Sequence, residues 1–519
     1  MRTLACILIL AAGCAAAEVP VIPRPVSVTA GEGVFQIRAN TALMVDSRCA
    51  EAGRLLAAQL PLRPSARAGR RDNGISIAVD PQLNLPSEEG YVLEVTAKRV
   101  EIRGKGPAGA YYGAQSLLQL IEPGGAKRIR AVRIEDYPRF PWRGLLLDPA
   151  RHFLPKAAVL KFIDALAMHK LNSLHLHLTD DQGWRVEIKR YPRLTGVGSM
   201  RKETRVGHER EGKGFDGQPH GGFYTQADIR QMAAYARERF VNLVPEIEMP
   251  GHAQAAIAAY PELGNTGEKL EVWTRWGVNR NVFNVNESTI VFLQNVLEEV
   301  LAMFPGRYIH VGGDEVPLDQ WKASREAQAR MKELGLRREI ELHGYFIRRM
   351  DKYLTERGRR LVGWDEILEG GADRSAVVMS WRGNKGGIEA ARKGHDVVMA
   401  PNTHTYFDYY QAKTPGEPLA IGGFVPLEKV YEFDPVPPEL TAEEAKRILG
   451  AQGQLWAEYM PTPAAVEYMA FPRAAALAEV VWTPEPRRNY ADFRARLAAH
   501  ERRLKALGLN FRPAGGPGN

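Results

Sequence analysis

At 519 residues the chain is too long for one ordinary domain and long enough to enclose a large core. Its 45% hydrophobic and 25% charged residues are those of a globular protein and exclude a low-complexity or fibrous chain. The net charge of +8 comes from Lys and Arg interspersed with Glu and Asp, as in Arg237-Glu238-Arg239 and Arg337-Arg338-Glu339. No basic block is interleaved with aromatics, which argues against a nucleic-acid partner.

The chain opens with Arg2, an apolar run from Leu4 to Leu10, and Ala15-Ala16-Ala17 ahead of Glu18. This pattern predicts a secretory signal over residues 1–17, too short for a permanent membrane span. Gly13-Cys14 offers a second reading, cleavage before Cys14 with lipid attachment, although Ala11 stands where Leu is usual. The protein is therefore expected to be exported, to the periplasm or beyond, or lipid-anchored through Cys14. Loss of residues 1–17 would leave Cys49 as the only cysteine, so no intrachain disulfide and no cysteine metal cluster is expected.

Residues 18–135 then read as a small α+β domain. Strand-like alternation appears at 35–37, 75–79, 90–95 and 99–103. A helical run over 108–121 places Ala114, Leu117, Leu118 and Ile121 on one face. From residue 136 to 512 short apolar runs recur, mostly followed by helical segments. Eight of them, at 143–148, 173–178, 241–246, 307–312, 360–364, 376–381, 396–400 and 453–458, predict an α/β fold of TIM (β/α)8 type with a C-terminal helix. In the first intervening helix Val159, Phe162, Ile163 and Leu166 form an apolar stripe. In the second strand Leu174, Leu176 and Leu178 are expected to face the helices, with His175 and His177 pointing into the barrel. Two long connections, 199–223 and 402–448, follow strands and belong on the face that carries chemistry in such barrels. The Gly/Pro-rich tail from Arg512, 513–519 above all, is expected to be loose.

The most informative stretch is Tyr308-Ile309-His310-Val311-Gly312-Gly313-Asp314-Glu315-Val316. An apolar strand meets two glycines that permit a tight turn, and two carboxylates follow at the strand's C-terminal end. In extended backbone neighbouring side chains diverge, so Asp314 and Glu315 would face different parts of one site. The other strand ends contribute Asp148 and Arg151, Asp180, Glu246 with His252, Trp364, Trp381, Tyr406 with Asp408, and Trp456 with Glu458. Aromatic faces with carboxylates are the vocabulary of a carbohydrate site, while each Trp taken singly could equally be barrel core.

His310-Val-Gly-Gly-Asp314-Glu315 resembles the signature of glycoside hydrolase family 20, the β-N-acetylhexosaminidases. Further segments resemble the same family in the same order: Leu147-Asp148-Pro149-Ala150-Arg151-His152-Phe153, Lys170-Leu-Asn172 running into His175 to Trp184, Pro245 to His252, and Trp456-Ala457-Glu458. One departure is Glu248, where the family often has Asp. The resemblance covers nearly the whole chain from Val19 to Trp482. It implies an exo-acting enzyme that removes terminal β-linked GlcNAc or GalNAc with retention, the substrate's own acetamido group acting as nucleophile. It casts Glu315 as general acid/base, with a pKa held up for that task, and Asp314 as the residue orienting the acetamido group. It places Tyr406 on the acetamido carbonyl oxygen and makes Trp364, Trp381 and Trp456 the pocket walls. Arg151, Asp408 and Glu458 would hold ring hydroxyls, and Asp180 with His252 would support Glu315. No metal and no cofactor is expected. The expected partner is an N-acetylhexosamine-containing oligosaccharide or glycoconjugate, and the protein itself a monomer or homodimer.

Three other readings stand beside this one. His175-Leu-His177 with Asp180 could hold a divalent ion in a metal-dependent amidohydrolase. A lacto-N-biosidase-like variant of the same family would release a disaccharide. A non-catalytic sugar-binding protein would have lost the acid/base, yet Glu315 is present.

Overall fold

A computed structural model describes residues 19–65, 72–122 and 124–514. The apolar leader and Gly13-Cys14 lie outside them. The chain divides into two compact units, Pro25–Tyr137 and the remainder from Pro138 onward together with Ile22–Arg24. The boundary thus falls two residues later than the sequence suggests, because the strand Arg128–Asp136 belongs to the first unit. No helix among the described residues is long and apolar enough to cross a membrane.

The first unit is a seven-stranded mixed sheet carrying two α-helices, Ala50–Gln59 and Pro107–Gln119. Its strands run in the spatial order Ser27–Gln36, Arg128–Asp136, Tyr91–Val95, Arg99–Gly104, Gly74–Val79, Ala42–Val45, Arg63–Pro64. The runs at 75–79, 90–95 and 99–103 are central strands, whereas 35–37 lies at the end of the edge strand Ser27–Gln36; the period of two is cleanest in Arg99–Gly104. Ala42–Val45 and Arg63–Pro64 at one edge escape a reading by pattern, being too short to show a period. Cys49 is buried and free.

The second unit is a closed barrel of eight parallel strands: Trp142–Leu147, Ser173–His177, Asn242–Glu246, Tyr308–His310, Arg360–Trp364, Val377–Ser380, Val397–Met399 and Ile448–Leu455. The last pairs with the first, Gly450 against Trp142 through Leu455 against Leu147, and this closes the ring. The eighth strand begins five residues before the expected 453 and ends three before 458. Trp456 and Glu458 therefore lie just beyond the strand end rather than within it. The helix Lys156–Met168 buries Val159, Phe162, Ile163 and Leu166 completely, as its stripe requires. After the fifth strand the α-helix is replaced by a 3-10 turn, Asp365–Leu368, which keeps that segment close to the strand end.

The lumen is polar where the period of two directs it. Leu174, Leu176 and Leu178 are buried, and so are His175 and His177 between them. His175 Nε2 lies 3.0 Å from Glu246 Oε2, and His310 Nδ1 lies 2.7 Å from Glu246 Oε1. The tail, expected to be loose, starts out well held. Arg512 donates from its backbone N–H to the Phe471 carbonyl at 3.1 Å and from Nε to Glu417 at 2.6 Å. The Ala514 N–H reaches Glu501 at 2.7 Å.

Candidate active site

The turn after the fourth strand is not extended. Gly312 (φ 68°), Gly313 (φ 91°) and Glu315 (φ 48°) all adopt left-handed backbone. Asp314 and Glu315 thus separate through a coil, not through strand alternation as the sequence suggested. Glycine suits the first of these positions, since a Cβ there would sit 1.6 Å from Glu248 Oε2 in its present place and would strain the left-handed backbone. Glu315 has no such freedom and holds its φ against steric preference, as does His252 at φ 49°.

His252 links the two carboxylates. Its Nε2 stands 3.6 Å from Asp314 Oδ2 and 3.5 Å from Glu315 Oε2. Its Nδ1 faces Asp180 Oδ1 at 3.2 Å and Asp181 Oδ2 at 3.4 Å. Burial opposes charge on the ring, but Asp180, Asp181 and Glu315 overcome it and hold the imidazole well above its ordinary pKa. The resulting cation splits the two carboxyls. Burial, with Glu246 and Glu315 nearby, pushes Asp314 up to about 6. Burial also works to raise Glu315, yet His252 and Arg151 win and lower it. The expectation that the protein's own groups hold Glu315 up is therefore not met, because a nearby cation stabilises its carboxylate.

Arg151 is buried and already engaged. Its Nη2 donates to Asp180 at 2.6 Å, its Nη1 to Asp148 at 3.3 Å, and its guanidinium lies 4.9 Å from the Trp456 ring centroid. The planar fork thus ties the first two strand ends together, and only its remaining hydrogens are free for a ligand. Asp148 also accepts the Ala457 N–H at 2.9 Å, and His152 Nδ1 contacts the Ala457 carbonyl at 2.6 Å. The first loop thereby fixes the Trp456–Ala457–Glu458 corner. Arg151→Lys is expected to lower kcat/KM by more than about tenfold although charge is kept, since one ammonium cannot span two carboxylates and stack on an indole. Activity within about twofold of the parent, measured on an aryl glycoside, would remove Arg151 from the site.

Tyr406 and Asp408 arrive from the long 402–448 connection. Its start is laid against the eighth strand, with Phe407 N–H on the Gln454 carbonyl at 2.8 Å and Gln454 N–H on the Thr405 carbonyl at 2.8 Å. Buried Arg473 clamps the Tyr409 carbonyl at 3.1 Å and the Val425 carbonyl at 2.9 Å. Tyr406 stacks on Trp381 at 6.1 Å and meets Trp456 at 6.4 Å. Trp364 behaves differently from the other two tryptophans. It is 1% exposed, gives its indole N–H to Glu246 at 2.8 Å, and backs Trp456 at 5.6 Å from within the lumen core.

Asp314 Oδ1, Asp408 Oδ1 and Glu458 Oε2 are buried with no hydrogen-bond partner among the described residues. Burial raises the pKa of Asp408 and Glu458, and the Glu458 carboxyl adds to the rise at Asp408. Three unsatisfied acceptors beside an aromatic wall are costly unless a ligand's donors meet them. Sequence reasoning missed Asp181, Glu248 and Glu366 as members of this cluster. A signal existed: Glu246 and Glu248, Trp364 and Glu366, Tyr406 and Asp408, and Trp456 and Glu458 are all spaced by two.

The lumen histidines are buried among carboxylates. His177 Nδ1 contacts Asp148 at 2.8 Å and its Nε2 contacts Glu248 at 3.1 Å. Burial disfavours its charge, but Asp148 and Glu246 hold the ring protonated well above the ordinary range. His175, Glu246 and His310 do present ligand atoms within 4.8 Å of one another. Both histidines already lie within ion-pair distance of Glu246 in a fully buried layer. Both ring nitrogens of His177 are likewise engaged by carboxylates.

Two family models match this chain. One, "Glycosyl hydrolase family 20, catalytic domain", matches residues 140–485, and another, "Glycosyl hydrolase family 20, domain 2", matches residues 18–137. The chain belongs to glycosyl hydrolase family 20. A β-hexosaminidase of Porphyromonas gingivalis is 44% identical over 509 residues, covering 95% of this chain and 64% of that protein. The family 20 chain thus spans less than two thirds of that relative. A β-hexosaminidase of Vibrio furnissii is 37% identical, covering 89% of this chain and 76% of its own length. Among solved structures, a family 20 exo-β-N-acetylglucosaminidase from Vibrio harveyi in complex with N-acetylglucosamine superposes with a TM-score of 0.83. It is 33% identical and covers 96% of this chain and 79% of the other.

Proposed function

We propose that this family 20 protein is an exo-acting β-N-acetylhexosaminidase that hydrolyses terminal β-linked GlcNAc or GalNAc with retention. The observation that carries the reading is the Asp314–His252–Glu315 arrangement: one carboxyl raised and buried, one partly exposed, and a cation between them. Asp314, ionised above about 6, orients the acetamido N–H of the substrate. The acetamido carbonyl oxygen attacks the anomeric carbon as the glycosidic C–O bond breaks, and Glu315 gives its proton to the departing oxygen. A bicyclic oxazolinium ion results. Glu315, now a carboxylate, takes a proton from water, which opens that ion and releases the sugar with its original configuration. Tyr406, Trp381 and Trp456 wall the acetamido group, with Trp364 behind Trp456. Asp408, Glu458 and the free hydrogens of Arg151 meet ring hydroxyls. The relatives named β-hexosaminidase and the N-acetylglucosamine held by the Vibrio harveyi protein support the same substrate class. Export through the residue 1–17 leader fits a substrate met outside the cytoplasm.

The test is the anomer first released. Proton NMR during hydrolysis of an aryl β-GlcNAc glycoside should show β-GlcNAc appearing before mutarotation, with a rate unchanged by a metal chelator. Initial α-GlcNAc would overturn retention, and loss of activity on chelation would revive the metal-dependent alternative.

A further inference from the structure

The turn that replaces a helix after the fifth strand places two adjacent carboxylates, Asp365 and Glu366, under Trp381. They divide its support between them. Asp365 holds the backbone: its Oδ2 accepts from Trp381 N–H at 3.1 Å, Arg382 N–H at 3.3 Å and Ser380 Oγ at 3.3 Å. Its Oδ1 takes Arg382 Nε at 2.6 Å. Glu366 holds the ring. The Trp381 indole N–H lies 3.2 Å from Oε1 and 3.0 Å from Oε2, the carboxyl being largely enclosed with 13% of its side chain exposed. The indole so fixed lies nearly parallel to Tyr406, 22° between planes. A partly exposed Trp on a fixed backbone still has rotamers to choose among, and the Glu366 acceptor selects one.

We propose that Glu366 is a positioning residue: it locks the Trp381 indole against Tyr406 and so sets the size of the pocket that receives the substrate's N-acyl group. This rests on the reading of Trp381 and Tyr406 as walls of that pocket. The charged groups facing Glu366 are Asp314, Asp365 and Arg382, whose Nε is 3.6 Å from Oε1 and whose Nη1 is tied to Glu369 at 2.8 Å. Burial with the two aspartates pushes the Glu366 carboxyl up to about 8 against the pull of Arg382. At pH 6.5 the residue is then mostly a neutral acid. It can receive the indole N–H without setting another negative charge beside Asp314. A neutral amide of the same shape has the same capacity, which makes Gln the conservative variant.

The test compares kcat and KM for aryl β-glycosides of glucosamine bearing N-acetyl, N-propanoyl and N-butanoyl groups at pH 6.5. Parent and Glu366→Gln should share one order of preference, acetyl far ahead. Glu366→Ala should lose roughly tenfold in kcat on the N-acetyl substrate while losing less on the N-butanoyl one, a freed wall misplacing the small acyl group and admitting the large one. The acetyl-to-butanoyl ratio should therefore shrink severalfold in Ala and hold in Gln. An unchanged ratio in Glu366→Ala, or a Gln variant as relaxed as Ala, overturns the proposal. Should Ala not fold, Glu366→Asp, whose carboxyl stops one methylene short of the indole, takes its place: a shrunken ratio supports the proposal and an unchanged one overturns it. A parent enzyme that hydrolyses the matching β-glucoside as fast as the N-acetyl substrate would instead overturn the function proposed above.

Discussion

Glu315→Gln is expected to lower kcat by about 10² to 10⁴ on substrates with poor leaving groups, the range that a positioned proton donor contributes. Nitrophenyl glycosides should suffer less, because their leaving oxygen needs little protonation. Equal losses across leaving groups, read from a Brønsted series, would count against Glu315 as the donor. The same residue fixes the sign of the pH dependence. A proton donor must be protonated to act, so activity should be lost as pH rises through the Glu315 pKa. In the free protein His252 and Arg151 lower that pKa despite burial. The Glu315 side chain is 37% exposed, and a seated sugar would strip water from it and shift the balance towards the acid form. The alkaline limb of kcat, which reports the complex, should therefore lie at higher pH than the alkaline limb of kcat/KM, which reports the free enzyme. Glu315→Gln should flatten both.

Removing the acetamido group from the substrate should cost still more. Aryl β-glucosides are expected to react at least about 10³-fold more slowly than the matching β-GlcNAc compounds, since a well-oriented internal nucleophile is worth an effective concentration of ~10⁵–10⁸ M. Rates should fall steeply with each fluorine placed on the acetyl methyl, which weakens the attacking oxygen. A thiazoline mimic of the bicyclic ion should inhibit strongly, because the site fits that shape better than the substrate. Asp314→Asn should slow the reaction and leave it as dependent on the acetyl group as before. A glycosyl ester trapped on any Asp or Glu of this chain would overturn substrate assistance even with the substrate class intact.

The fold is legible where burial is one-sided or complete. The leucines of 173–178 and the stripe of Lys156–Met168 announce their environment by period, and both sit as expected. What stays hidden is geometry that period cannot encode. The left-handed backbone of Gly312, Gly313 and Glu315 has no signature in a period, and a Cβ at Gly312 would meet Glu248 from the third strand end. The lowered Glu315 carboxyl depends on a histidine 63 positions away in the chain. Glu366 escapes a reading that expects a helix after the fifth strand, because a helix would have carried it from the site. Residue type alone groups Trp364 with the other two tryptophans, whereas its bond to Glu246 draws it into the lumen.

The ring closes by pairing its first strand with its last, and this has a consequence for how the protein comes into being. Arg151 follows the first strand and Trp456 the last, so their stacking contact joins residues 305 positions apart. A chain still emerging from the ribosome carries Arg151, Asp180, His252, Asp314 and Glu315 long before Ile448–Leu455 exists to seal the sheet. Until then the edge of Trp142–Leu147 that will receive the last strand is open, and Asp148 lacks the Ala457 N–H that it accepts in the closed ring. The Arg151–Trp456 contact and the Asp148–Ala457 bond therefore form only once the final strand and the corner after it are in place.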